Sequence, residues 1–211
     1  MRHQPLVVVS PDATLTEAQR LMQERGVRHL PVVTDGDRLV GLITRQVILE
    51  SIPWSAVSLS ALETRYILSR IRVEKVMLRD VVTITEDVPV EEAARIMVDQ
   101  GMSCLPVLRD DHLVGLITDV DLLATTMEML GARRSGLRLS VMVPDRVGEL
   151  ARLTTAIAEI GGNLAAVGTW RSEEALDKLG IVLRVERVSK GQLTDAVSKL
   201  PGVEILDIRE L

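Results

Sequence analysis

Apolar and polar positions fall into one pattern that occurs twice and a third stretch that does not share it. In the first copy Val7-Val8-Val9 is a short β-branched run. Leu15, Ala18 and Met22 then recur at helical spacing. Thr14 and Glu17 have the spacing of a capping box, and Gly26 stands where a left-handed cap would end the helix. Two strands are predicted next, Leu30 to Val33 and Leu39 to Ile43, joined by a turn holding Asp35-Gly36. A last helix opens near Thr44. Val81-Val82, a helix opened by Pro89 and closed by Gly101, and a helix start near Thr118 repeat the order, so each copy reads β-α-β-β-α.

The repetition extends to identities. An offset of 75 pairs Asp12 with Asp87, Glu17 with Glu92, Met22 with Met97, Gly26 with Gly101 and Leu30-Pro31-Val32 with Leu105-Pro106-Val107. One deletion later, at an offset of 74, Leu39-Val40-Gly41-Leu42-Ile43-Thr44 matches Leu113-Val114-Gly115-Leu116-Ile117-Thr118. Leu59 to Ile71, between the copies, is helix-like. Gly131 to Gly136 reads as a linker by its glycines and charges. From Leu137 the order becomes strand (Arg138 to Val143), helix (Glu149 to Ile160), strand (Leu164 to Thr169), strand (Leu179 to Val185), helix (Lys190 to Leu200) and strand (Val203 to Ile208), the ferredoxin-like split β-α-β-β-α-β. The expected fold class is α/β (α+β): two repeats about a pseudo-twofold, then this unit. The boundaries are 1–55 for repeat one, 56–72 for a linker helix, 73–131 for repeat two, 132–136 for a linker and 137–211 for the last domain.

Composition removes several functions. A net charge of −5 argues against phosphate-backbone binding, and no Phe, one Tyr and two Trp cannot build stacking platforms, so no nucleic acid is expected. One cysteine, Cys104, excludes an internal disulfide and a multi-cysteine metal site. No run approaches the roughly 18 apolar residues of a membrane helix, and no signal-peptide core is present, so a cytoplasmic protein without membrane contact is expected. His3, His29 and His112 lack ligand spacing and read as surface or rim residues, with no metal. Cys104 has no obvious base partner, and Asp119 and Asp121 point apart at a helix start, so no catalytic set argues for an enzyme.

The chemistry that remains lies where each Gly-Leu-Ile-Thr strand meets a helix. The glycine admits a close neighbour. The first helical turn offers N–H donors, and the threonine hydroxyl can reach a phosphate or ribose oxygen. A carboxylate three residues on can accept both ribose hydroxyls. Asp121 supplies it in copy two, but Val47 stands there in copy one. Thr118 and Asp121 fit a helix cap equally well, and that reading stays open beside the ligand one.

Val27-Arg28-His29-Leu30-Pro31-Val32-Val33, Gly41 to Thr44 and their counterparts resemble the CBS family, whose tandem repeats form a Bateman module that binds adenine nucleotides or related adenosyl ligands. Gly115, Thr118 and Asp121 match its ribose motif. The resemblance implies a nucleotide pocket of Val7, Val27 and Arg28 with Ser103, Cys104, Leu116, Thr118 and Asp121. Arg28 would face phosphate there, and AMP, ADP, ATP or S-adenosylmethionine would be a regulatory ligand rather than a cofactor. A doubtful second site would use Thr44 and Val82. Asp145 to Leu150 and Gly161 to Leu164 resemble an ACT domain, which implies a possible effector site at Asp145, Gly148 and Asn163 and a homodimer through either or both domains. In the rival reading Asp145 caps the helix, Gly148 permits close packing and the domain only dimerises. The order CBS-CBS-ACT resembles the acetoin-utilisation B-type proteins. Such chains usually open with a segment ending in Met, like Val73 to Met77 here. The first repeat begins without one, so part of it is expected to be missing. The implied function is a non-enzymatic nucleotide sensor, with an interaction module of empty pockets as the alternative.

Overall fold

The computed structural model describes residues 6–52, 60–171 and 176–211, which divide into two compact units, 1–122 and 123–211. In the first unit α1 (Leu15–Arg25) starts at a complete Thr14–Glu17 capping box and stops at Gly26, whose φ of 65° is left-handed. The hairpin of β1 (His29–Thr34) and β2 (Arg38–Thr44) follows, then the short α2 (Arg45–Glu50). Next come α3 (Ala61–Arg70), capped by Ser60, and a 3₁₀ turn over Val73–Lys75. The second copy comprises β3 (Ile84–Thr85), α4 (Val90–Gln100), β4 (Cys104–Arg109), β5 (His112–Thr118) and α5 (Asp119–Met129), which runs on past the unit boundary.

The repeat is reproduced down to its irregularities. Leu30 pairs with Ile43 and Val32 with Gly41, while Leu105 pairs with Ile117 and Val107 with Gly115. Each hairpin shifts register at the same point, after Val32 and after Val107. The hairpins join tip to tip at Arg38 and His112, giving the strand order β1-β2-β5-β4-β3. The opening β-branched runs fall short of strands. Val9 alone bridges to Val32, and the parallel partner of β4 begins at Ile84, beyond Val81 and Val82. Leu15, Ala18, Met22, Leu30, Ile43 and Ile48 form the first core, and a smaller cluster around Ala93, Met97 and Leu105 repeats it.

The second unit holds β6 (Leu137–Pro144), α6 (Glu149–Glu159), β7 (Asn163–Arg171), β8 (Lys178–Glu186), α7 (Lys190–Ser198) and β9 (Glu204–Glu210). They form an antiparallel sheet ordered β7-β8-β6-β9. Leu139, Val141, Ile181 and Leu183 from the sheet pack on Leu153 and Ile157 of α6 and Leu193 and Val197 of α7. The expected linker is tied down instead of free. Gly131 is buried, with Ala166 and Arg184 beside it, and Gly136 exchanges backbone hydrogen bonds with Leu211. Trp54, His3 and residues 53–59 of the stretch joining the repeats lie outside the described residues.

Candidate functional site

The two strand-to-helix turns start alike and end differently. In each, the first helical N–H donates to a carbonyl before the hairpin, from Arg45 to Arg28 and from Asp119 to Ser103, both at 3.0 Å. Thr44 Oγ1 accepts the Val47 N–H at 3.1 Å and caps α2. At Thr118 the arrangement is reciprocal. Its hydroxyl (2.6 Å) and its N–H (2.9 Å) both donate to Asp121 Oδ2, and the hydroxyl accepts the Asp121 N–H at 3.3 Å. Asp121 therefore does cap its helix, and the cap also fixes an exposed carboxylate beside the threonine.

The glycine of the duplicated strand does not serve the same purpose twice. A Cβ on Gly41 would lie 2.7 Å from Met77 Sδ and 2.8 Å from the Leu78 carbonyl, because that segment pairs with β2 at Leu42. The close neighbour is thus the chain itself. At Gly115 the nearest atom is Val107 Cβ at 3.5 Å, an ordinary contact.

His29 is one of the expected surface or rim residues. It is half-buried, and its Nε2 lies 2.8 Å from Ser103 Oγ, so a side chain of repeat one meets one of repeat two. Desolvation holds its pKa below the usual 6.5, partly opposed by Asp119 and reinforced by Arg28. Cys104 is 2% exposed, and burial, with Asp119 adding to it, pushes its thiol up to about 12. It is a structural thiol that shows a ligand little surface. The structure therefore brings Ser103 and Asp119 to His29, and the same Asp119 acts on Cys104. No sequence spacing pointed to this cluster, although His29 and Cys104 occupy equivalent positions in the two repeats.

Val7 and Val27 pack half-buried against the first core, Leu116 is half-buried on β5, and Val82 is exposed. Arg28 lines a cavity of about 440 Å³ between α1 and α2, with Arg45 and Gln23 on its polar side and Met22, Val27 and Ile48 on its apolar side.

In the second unit Asp145 pairs with Arg171 at 3.0 Å and does not cap α6. The capping position is Gly148, at φ 91° with nothing near its missing Cβ, so backbone conformation and not close packing calls for glycine. The Asn163 amide donates to Glu186 at 3.0 Å. Because β6 leads from Leu137 to Pro144 and Asn163 pairs near Leu137's end, one chain does not bring Asn163 to Asp145 and Gly148. Among the described residues no cluster of metal-ligating side chains occurs, and no helix is long and apolar enough to cross a membrane.

Comparison with known proteins adds the context these contacts lack. The family model described as CBS domain matches residues 1–53 and 73–128, together just over half of the chain. The inosine-5'-monophosphate dehydrogenase of Methanocaldococcus jannaschii is 34% identical over 137 residues, covering 64% of this chain and 25% of that protein. A Vibrio cholerae structure assigned to acetoin utilization is similar at 27% identity and a TM-score of 0.50, covering 62% of this chain and 89% of that one. The structure of CBSX2 in complex with AMP is similar at 26% identity and a TM-score of 0.50, covering 60% and 92%. The chain spans between 21% and 42% of the length of the first curated relatives it matches.

Proposed function

The chain belongs to the CBS-domain family, and we propose that its first unit is a regulatory sensor of an adenine nucleotide, read through Thr118 and Asp121. The observation that carries this reading is the reciprocal pairing of those two residues at the start of α5, where a carboxylate is held beside a hydroxyl at the protein surface. A ribose diol fits that pair, and AMP bound to a similar structure supports the ligand class. Ser103 and Leu116 flank the same turn. The first repeat keeps the threonine but has Val47 in place of the acid, so the module has one competent ribose site, and Thr44 and Val82 form a weaker cleft at best.

The second unit acts as the responding part. Its strand order and β-α-β-β-α-β connectivity support an ACT-type domain, and a site built from Asp145, Gly148 and Asn163 needs two copies of the chain. Binding is then differential: the nucleotide favours one arrangement of the repeats and biases the attached unit or a partner. The likeness to a protein assigned to acetoin utilization makes that metabolism the first place to seek the regulated target. The same Asp121 geometry also favours a second reading, in which the residue only caps α5 and the module binds partners without a nucleotide.

Thermal unfolding with AMP, ADP, ATP and S-adenosylmethionine separates the two. A ligand at about a hundred times its Kd raises stability by roughly 3 kcal/mol, or about 5 to 10 °C for a chain of this size. Asp121→Ala should abolish that shift, measured against its own ligand-free midpoint, and Val47→Ala should leave it. No shift with any of the four, or equal losses from both substitutions, would sink the sensor reading.

A further inference from the structure

We propose that the helix-free face of the second unit's sheet binds a phosphate group between Arg184 and Arg138. Strand register sets the site. Arg138 on β6 stands directly opposite Arg184 on β8 and Arg209 on β9, so three arginines occupy one row across neighbouring strands. Leu137, Leu139, Leu183 and Val185 of β6 and β8 pack into the core with α6 and α7, which leaves the arginines on the other face. Like charges directly opposite one another repel, so the row costs stability until an anion joins it.

Arg184 carries the argument furthest. It is 5% exposed, and its Nε and Nη1 are buried without a hydrogen-bond partner. The carboxylates of that face are engaged elsewhere. Asp207 pairs with Arg209 at 2.7 Å and with Arg138 at 3.3 Å, and Glu186 accepts the Asn163 amide at 3.0 Å. Arg184 is left without a carboxylate among the described residues, and a guanidinium buried with no counter-charge is costly.

The row is open at one end. Side-chain exposure falls from 61% at Arg209 to 37% at Arg138, and Arg184 is covered. A Cβ on Gly131 would lie 3.6 Å from Arg184 Cγ, so the backbone just past α5 lies over the stem of that side chain. A ligand therefore enters from the β9 side and meets Arg138 before Arg184. Two guanidinium forks a strand apart suit a compact dianion with oxygens for both, which a phosphate supplies. The row shares no residue with the proposed nucleotide pocket or with Asp145, Gly148 and Asn163.

Titration calorimetry on the full chain with inorganic phosphate and with glycerol 3-phosphate tests this, with glycerol as the neutral control. Free phosphate and the phosphate end of a small metabolite offer the same chemistry, and the tighter of the two ligands identifies the source. Saturable binding is expected, weakened about tenfold or more by Arg184→Met and by Arg138→Gln. Asp121→Ala should leave it unchanged, which separates it from the nucleotide reading. Asp207→Asn releases Arg138 and should tighten it. A second readout distinguishes a binding arginine from a structural one. Arg184→Met keeps an extended stem and removes an uncompensated charge, so the phosphate-free thermal midpoint should rise by a few degrees. No saturable binding of either phosphate, binding that survives Arg184→Met or Arg138→Gln, or equal loss in Asp121→Ala would overturn the proposal. So would glycerol binding equally well, weaker binding in Asp207→Asn, or a lower midpoint in Arg184→Met.

Discussion

His29 draws its environment from a residue 74 positions away, since Ser103 closes over it from the other repeat. Charging the ring there costs solvation, which lowers its pKa, and the unfolded chain takes up the proton first. The stability contributed by the neutral ring is complete above about pH 6.5 and is lost as pH falls through the lower folded value. Carboxylates held down by their partners, such as Glu17 by Thr14 and Asp207 by Arg209, act only at lower pH, below ordinary values of 4.5 and 3.8. Urea midpoints should therefore decline between pH 7 and 5.5, and less steeply in His29→Gln. An unchanged slope in that variant would assign the decline to other groups. Asp121 was legible from its spacing to Thr118, a contact local to one helical turn. His29 was not, because a lone histidine carries no mark of a partner that only folding brings near.

At the scale of elements, the duplicated strands β2 and β5 show how far identical sequence determines structure. Their register and even the facing bulges agree. Their surroundings do not: Leu42 and Ile43 are buried, while Leu116 and Ile117 are half-buried. In the first copy the 77–78 segment lies against Gly41 and bridges to Leu42. Gly41→Ala should accordingly cost about 1–3 kcal/mol, since the Leu78 backbone has to move, whereas Gly115→Ala should be close to neutral. Chemical denaturation of the two variants checks this, and equal costs would contradict the assigned contact. The helices were more legible than the strands' neighbours. The Thr14–Glu17 box and the Gly26 and Gly101 caps stand where their residue types placed them. The β-branched runs at Val7 and Val81 suggested strands, yet strand length depends on the pairing available and not on propensity alone.

Across the whole molecule the two units have separate cores, one centred on Leu15, Leu30 and Ile43 and the other on Leu139, Leu153 and Ile181. Calorimetry should resolve two transitions, and Leu153→Ala should lower one of them by about 2–5 kcal/mol and spare the other. A single transition displaced as a whole would show that the units unfold together. The sequence by itself determined the tandem repeat, the element order of both units apart from the opening strand of each repeat, most caps and the carboxylate that distinguishes the second turn. These depend on periodicity and on contacts within a few residues, which the chain carries wherever it folds. Tertiary structure alone decided that His29 meets Ser103, that Arg28 and Arg45 share a cavity, that Asn163 stands away from Asp145, and that one copy of an identical strand is buried more deeply than the other. Each is a meeting of residues remote in sequence or set by the packing around them, and a residue's own identity does not encode its neighbours across the fold.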